Sequence, residues 1–288
     1  MKQNPPHTNI KIPGRFARPL AALGGFTLNA GQQFLEMLGG IFLLFSSTTF
    51  AILKAIFLPA VSIKKQNLLF QMVRVGVRAI PIVVLIELAI GMILPLQMYP
   101  QLDQFGQADQ IATINAIAAF RELGPLMTAI VLSGFAGASI AAELGTMVTA
   151  EEIEALESMA LNPVRFLVVP RLLATVIMTV LLTVIADIVM VAGGWLTSLQ
   201  LGLDSDVYYH LTCQAVNITG FITGLVKAGV FGLLIGLIAS YLGLAVKPWQ
   251  GSDGVGKATT NTVVYCIVAI IGADAVFTVI FYAYGLFS

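Results

Sequence analysis

Apolar residues run almost unbroken over 36–60, 79–99, 112–141, 164–198, 218–246 and 262–286, with polar residues gathered at the joints between these runs. About 20 apolar residues are enough to carry an α-helix across the hydrocarbon of a bilayer. The pattern therefore predicts an all-α integral membrane protein with up to six spans.

Charge at the joints gives an orientation, because Lys and Arg accumulate in cytoplasmic loops. Lys2, Lys11, Arg15 and Arg18 precede the first run, and Lys64, Lys65, Arg74 and Arg78 follow it. Arg165 and Arg171 flank the fourth run, and Lys247 and Lys257 separate the last two. Segments 100–111 and 199–217 carry Asp103, Asp109, Asp204 and Asp206 without a Lys or Arg, which puts them outside. A crossing by the first run would strand one of its basic flanks on the wrong side. Residues 1–65 are therefore expected to form a cytoplasmic and interfacial or re-entrant helical segment, with Lys54 snorkelling to the headgroups. Residues 66–288 then form five transmembrane helices, N-terminus cytoplasmic and C-terminus extracytoplasmic. Six spans with a weakly obeyed charge rule is the alternative.

Between the second and third of these five spans, residues of about 149–162 read as a short cytoplasmic coupling helix. Thr149 with Glu152 suggests a capping box, the early glutamates suit the positive end of the helix dipole, and Pro163 discourages continuation. Ile153, Leu156 and Ala160 share one face with Met159 beside them, while Glu151, Glu154 and Glu157 project elsewhere. Such a rod can enter a partner's groove. Lying flat on lipid is the other reading, but its four glutamates would be repelled by anionic headgroups.

Four motifs in order carry a family resemblance: Glu122-Leu123-Gly124-Pro125-Leu126, Ala141-Ala142-Glu143-Leu144-Gly145-Thr146-Met147, Glu152-Ile153-Glu154-Ala155-Leu156-Glu157 and Val168-Val169-Pro170-Arg171. With Gly254-Val255-Gly256-Lys257-Ala258-Thr259-Thr260 in the last cytoplasmic loop, the chain strongly resembles the MlaE/YrbE-type permeases that accompany MCE proteins, over roughly residues 66–286. Phe135 departs from the pattern, since many such permeases carry Arg there, and no role of that arginine transfers. The N-terminal 30 residues are longer than the pattern requires. The resemblance implies a homodimer in the bacterial inner membrane, with each copy docking Glu151, Glu152, Ile153, Glu154, Leu156 and Glu157 on an ABC ATPase subunit. It further implies an MCE-domain assembly on the extracytoplasmic face, phospholipid as substrate, and ATP and Mg held by the partner ATPase rather than by this chain.

Ionisable residues inside a membrane are costly and mark functional positions by default. Counted from the extracytoplasmic helix ends, Glu87, Arg121, Glu122, Asp187, Lys227 and Asp274 all lie roughly 12 to 17 Å deep. They are expected to line one outward-opening polar chamber on the substrate pathway. Pro125 should kink the helix beside Arg121 and Glu122, and Lys227 is expected to pair with Glu122. Purely structural ion pairing is the alternative. Ser133, Gly137 and Ala141, and Gly232 and Gly236, recur every four residues and permit close helix contact, within the chain or between copies.

Composition narrows the class further. The 288 residues are 58% hydrophobic and 10% charged with zero formal net charge, so nothing suggests a nucleic-acid surface. Cys213, Cys266, His7 and His210 are scattered without metal or redox spacing, and no nucleophile and base pair presents itself for catalysis. Gly251-Ser252-Asp253-Gly254-Val255-Gly256-Lys257-Ala258 nearly matches a phosphate-binding loop, but Ala258 replaces the hydroxyl that would meet magnesium and no strand precedes it. A transporter subunit remains, not an enzyme. The rival is an ion-coupled secondary transporter using Glu87, Asp187 and Asp274 as protonation sites, against which stands the absence of an inverted repeat.

Overall fold

A computed structural model describes residues 35–54 and 65–285 of the chain. The expected long N-terminal extension, and residues 55–64 at the end of the first apolar run, lie outside them. Among the described residues, six helices are long and apolar enough to cross a membrane: α1 (Leu35–Lys54), α2 (Lys65–Gln104), α3 (Gln110–Thr149), α5 (Val164–Gln200), α7 (Ile218–Leu244) and α8 (Pro248–Ala283). Two shorter helices, α4 (Glu152–Ser158) and α6 (Ser205–Ala215), sit at opposite ends of α5. By length and composition α1 can span.

The helices from α2 onward pack through glycines. Helix α2 is interrupted by a tight turn at Val77–Ala79, beside Gly76. A Cβ on Gly76 would fall 2.1 Å from Met178 Cε, so the bare backbone lets α5 run alongside. Higher up, Gly91 meets the Met190 carbonyl and Gly193 meets the Leu88 carbonyl, which brings two parallel helices into backbone contact. Gly232 and Gly236 face Thr175, Val176 and Leu172 of α5, while Gly137 faces Ile235, Thr262 and Cys266. Both small-residue stripes are thus used within the chain.

Helix α3 is not a regular α-helix. It contains π-helical turns at Ala119–Leu123 and Ser133–Gly137, each inserting a residue into the ladder, and α5 opens with another at Val164–Val168. Such turns concentrate where a helix must re-aim side chains. The first lies one turn before Pro125, which has no N–H to bond the Arg121 carbonyl, so the expected kink takes the form of a widened turn.

Two local expectations are corrected. The segment 149–162 does not form one capped helix: Thr149 Oγ1 donates to the Thr146 carbonyl, Glu151 adopts φ +59°, and no side chain caps α4. The helix ends at Ser158, with Ala160 at φ +57° and Leu161 N–H returning to the Leu156 carbonyl. Asn162 and Pro163 instead start α5, the Asn162 Oδ1 accepting from Arg165 N–H. Likewise Gly251–Ala258 is not a turn but the first stretch of the long helix in α8, where Lys257 and Asp253 pair at 2.7 Å one helical turn apart. A helical backbone there offers no cradle of loop amides to a phosphate.

Candidate functional site

The intramembrane charges come together from three helices. Lys227 on α7 has no solvent exposure, and its Nζ donates to Glu122 Oε2 of α3 at 2.7 Å and to Thr278 Oγ1 of α8 at 3.2 Å. Asp274 Oδ1, one turn before Thr278, completes the set at 2.9 Å. Thr278 in turn donates to Glu122 Oε1 at 3.2 Å, closing a ring in which one ammonium serves two carboxylates. The phenyl ring of Phe281 stands 6.0 Å from Nζ, on the apolar side of the cluster. The set is open on one flank only: the Glu122 side chain keeps 34% of its exposure and Asp274 keeps 16%. Full ionisation gives the cluster one excess negative charge.

The π-helical turn explains how neighbouring residues serve different directions. Glu122 reaches Lys227, whereas the stem of Arg121 lies along Gly220 near the start of α7, where a Cβ would fall 2.8 Å from Arg121 Nε. Gly224, one turn further, lets the Phe120 carbonyl approach so closely that a Cβ would sit 2.1 Å from it. Glu87 and Asp187 form a separate pair across the α2–α5 interface, each 1% exposed, near enough to interact electrostatically. Asp187 is pressed against Gly124, the residue before Pro125. The six predicted residues therefore fall into a buried acidic pair, the Lys227 cluster and Arg121 at the helix crossing.

At the opposite end lies α4. Glu151, Glu152, Glu154 and Glu157 are exposed, while Ile153 and Leu156 are half-buried. Ile153, Glu154 and Glu157 line a cavity of about 470 Å³ with Pro163, Leu244 and Pro248. The outward apolar side chains here are Met159, 62% exposed, and Leu161, 42% exposed.

A profile of the family described as permease MlaE matches residues 68–280. The chain belongs to that family. Among its relatives, a probable ABC transporter permease protein of Rickettsia typhi is 36% identical over 83% of this chain and 90% of its own. The intermembrane phospholipid transport system permease protein MlaE of Haemophilus influenzae is 33% identical over 75% of this chain and 82% of its own. The chloroplastic protein TRIGALACTOSYLDIACYLGLYCEROL 1 of Arabidopsis thaliana is 29% identical over 75% of this chain and 62% of its own. This MlaE-family chain is an ABC transporter permease, a multi-pass subunit of the inner membrane and not an enzyme.

Sequence reasoning missed a second charge cluster in this permease. Glu143 Oε1 takes Arg74 Nη1 at 2.7 Å and Arg171 Nη2 at 2.9 Å, tying α2, α3 and α5 at the end facing α4. Arg171 is 4% exposed and also donates to the Leu167 carbonyl, so it is a structural clamp as well as an orientation marker. Its signal was present: Glu143 sits inside a quoted motif, Arg171 lies just inside the fourth apolar run, and Arg74 lies shortly before the second.

Proposed function

We propose that this permease moves phospholipid, as a pair of identical copies that take their drive from separate ATPase subunits and hand lipid to or from an MCE-domain assembly. The observation that carries the reading is the Lys227 cluster: a buried ammonium held by Glu122 and Asp274, open on the Glu122 flank, within a chain of the MlaE family. A zwitterionic or anionic headgroup entering a membrane needs fixed charges and dipoles in place of water. Glu122, Lys227 and Asp274, with Arg121 at the helix crossing, supply them along one route through α3, α7 and α8. Glu87 and Asp187 lie one interface away, buried between α2 and α5.

On this reading ATP and Mg bind the partner ATPase. The partner's groove receives α4 through Glu151, Glu152, Glu154 and Glu157, with Ile153 and Leu156 completing the rod and Met159 and Leu161 at its outer end. The N-terminus is cytoplasmic, α1 lies at the interface, and the segment carrying α6 is extracytoplasmic.

Purification in mild detergent followed by mass spectrometry tests the assembly. Co-purification of an ATPase, an MCE protein and phospholipid is expected. A permease repeatedly isolated alone under gentle extraction refutes the partnership, and full lipid transport by Lys227→Met refutes the role of the cluster.

A further inference from the structure

A cavity of about 400 Å³ opens between the outer part of α5 and helix α6. Its walls differ with depth. Ile188, Val191 and Ala192 of α5 form the apolar end, and Trp195, Asp206 and Tyr209 form the mouth. About 20 residues from Arg171 bring α5 to the far edge of the hydrocarbon near Val191, so the mouth stands at headgroup level and Ile188 among the acyl chains. Trp and Tyr favour that level because one end of each is apolar and the other polar.

The cavity is held by bonds that leave its polar groups directed. Tyr208 OH donates to the Val191 carbonyl at 3.0 Å and accepts from Asn115 Nδ2 at 3.1 Å, fixing α6 against α5 and α3. Trp195 Nε1 donates to Ser205 Oγ at 2.9 Å, which leaves the Ser205 proton to donate elsewhere. Asp204 is committed to the helix start, accepting from Asp206 N–H at 3.0 Å. The Asp206 carboxylate makes no ion pair among the described residues. No Lys or Arg occurs in 199–217, and His210, whose ring meets Tyr209 edge-on at 5.9 Å, is the nearest residue in α6 that can become cationic.

We propose that this cavity is a second lipid site, distinct from the Lys227 cluster, that holds one amine-bearing zwitterionic phospholipid of the outer leaflet. Asp206 pairs with the headgroup ammonium, and the ring faces of Trp195 and Tyr209 flank it. Ser205 Oγ donates to the phosphate, and one acyl chain lies along Ile188, Val191 and Ala192. The charge decides the class: an exposed carboxylate in a segment without Lys or Arg attracts an ammonium and repels an anionic glycerol headgroup. The leaflet assignment rests on the proposed orientation, but the site itself depends only on the α5–α6 geometry and needs no ATPase, MCE protein or transport.

Native mass spectrometry of the detergent-purified permease titrated with phosphatidylethanolamine or phosphatidylglycerol tests it. Wild type is expected to retain one tightly bound phosphatidylethanolamine that phosphatidylglycerol does not replace. Asp206→Asn should weaken that binding about twofold to fivefold, the range of an exposed charge pair, because the aromatic rings remain. Ala192→Trp, which fills the cavity without touching its charge, should abolish it. Unchanged phosphatidylethanolamine retention in both variants overturns the proposal. So does equal retention of phosphatidylglycerol by wild type. Absence of lipid transport by the wild-type assembly, with this lipid still bound, would refute the proposed function and leave the site standing.

Discussion

Exchanging the charges of Glu122 and Lys227 should fail to restore the site unless Asp274 is neutralised first. Removing one partner of a buried ion pair costs about 3–5 kcal/mol. Glu122 and Asp274 are only partly buried, which lowers the expected loss for Lys227→Met to about 2–3 kcal/mol. Combining Glu122→Lys with Lys227→Glu rebuilds the 2.7 Å contact with its charges exchanged. It also sets a carboxylate at position 227 against Asp274, whose Oδ1 stands 2.9 Å from the native ammonium. Attraction and repulsion at such separations are each of order 6 kcal/mol at an effective dielectric of about 20, so they nearly cancel. With Asp274→Asn in the background the repulsion is gone, and the amide can donate to the new carboxylate. Thermal unfolding in detergent, followed by the fluorescence of Trp195 and Trp249, should then give a coupling energy of about 1–3 kcal/mol between positions 122 and 227. A coupling below about 0.5 kcal/mol in the Asp274→Asn background, or equal recovery in both backgrounds, would refute the three-membered cluster.

Other outcomes follow from the same geometry. Glu143→Gln leaves Arg171 buried without its carboxylate and should lower stability by about 1–3 kcal/mol, read as the same unfolding transition; a shift no larger than that of Arg74→Gln alone would deny the clamp. Gly224→Ala drives a methyl group toward the Phe120 carbonyl, so α7 must move off α3; a folded yield and lipid-transport rate equal to wild type would contradict the packing. At the docking end, Met159→Asp with Leu161→Asp should reduce ATPase co-purification while the permease remains folded, and undiminished ATPase recovery would place the contact elsewhere.

The long helices were legible because their signal is collective. A run such as 218–246 needs no particular residue to be read correctly, and α7 ends within two residues of it. The pairing of Lys227 with Glu122 was legible for the opposite reason, since few charges at that depth can find one another. Single-residue backbone events were not legible. The start and stop of α4 depend on left-handed Glu151 and Ala160, two residue types that ordinarily avoid that region, so a capping box at Thr149 was the better local reading and the fold overrode it. Helix α6 was read as an acidic loop, although Asp204 preceding Ser205 and Asp206 is an ordinary helix start. The separation of Glu87 and Asp187 from Lys227 was hidden because depth along a helix axis says nothing about which way the side chain turns.

Both glycine-containing stripes are spent on contacts inside the chain, so a seam formed through α8 would rest mainly on branched side chains, with Gly272 open among them. The outward face of α8 offers Val264, Val268, Ile271, Val276 and Val279, each more than half exposed. Such residues contact lipid tails nearly as well as they contact each other. A joint built from them is held by little more than the surrounding solvent is, so it can part and admit an acyl chain at small cost. The tight packing that makes each copy rigid would thereby leave such a boundary soft.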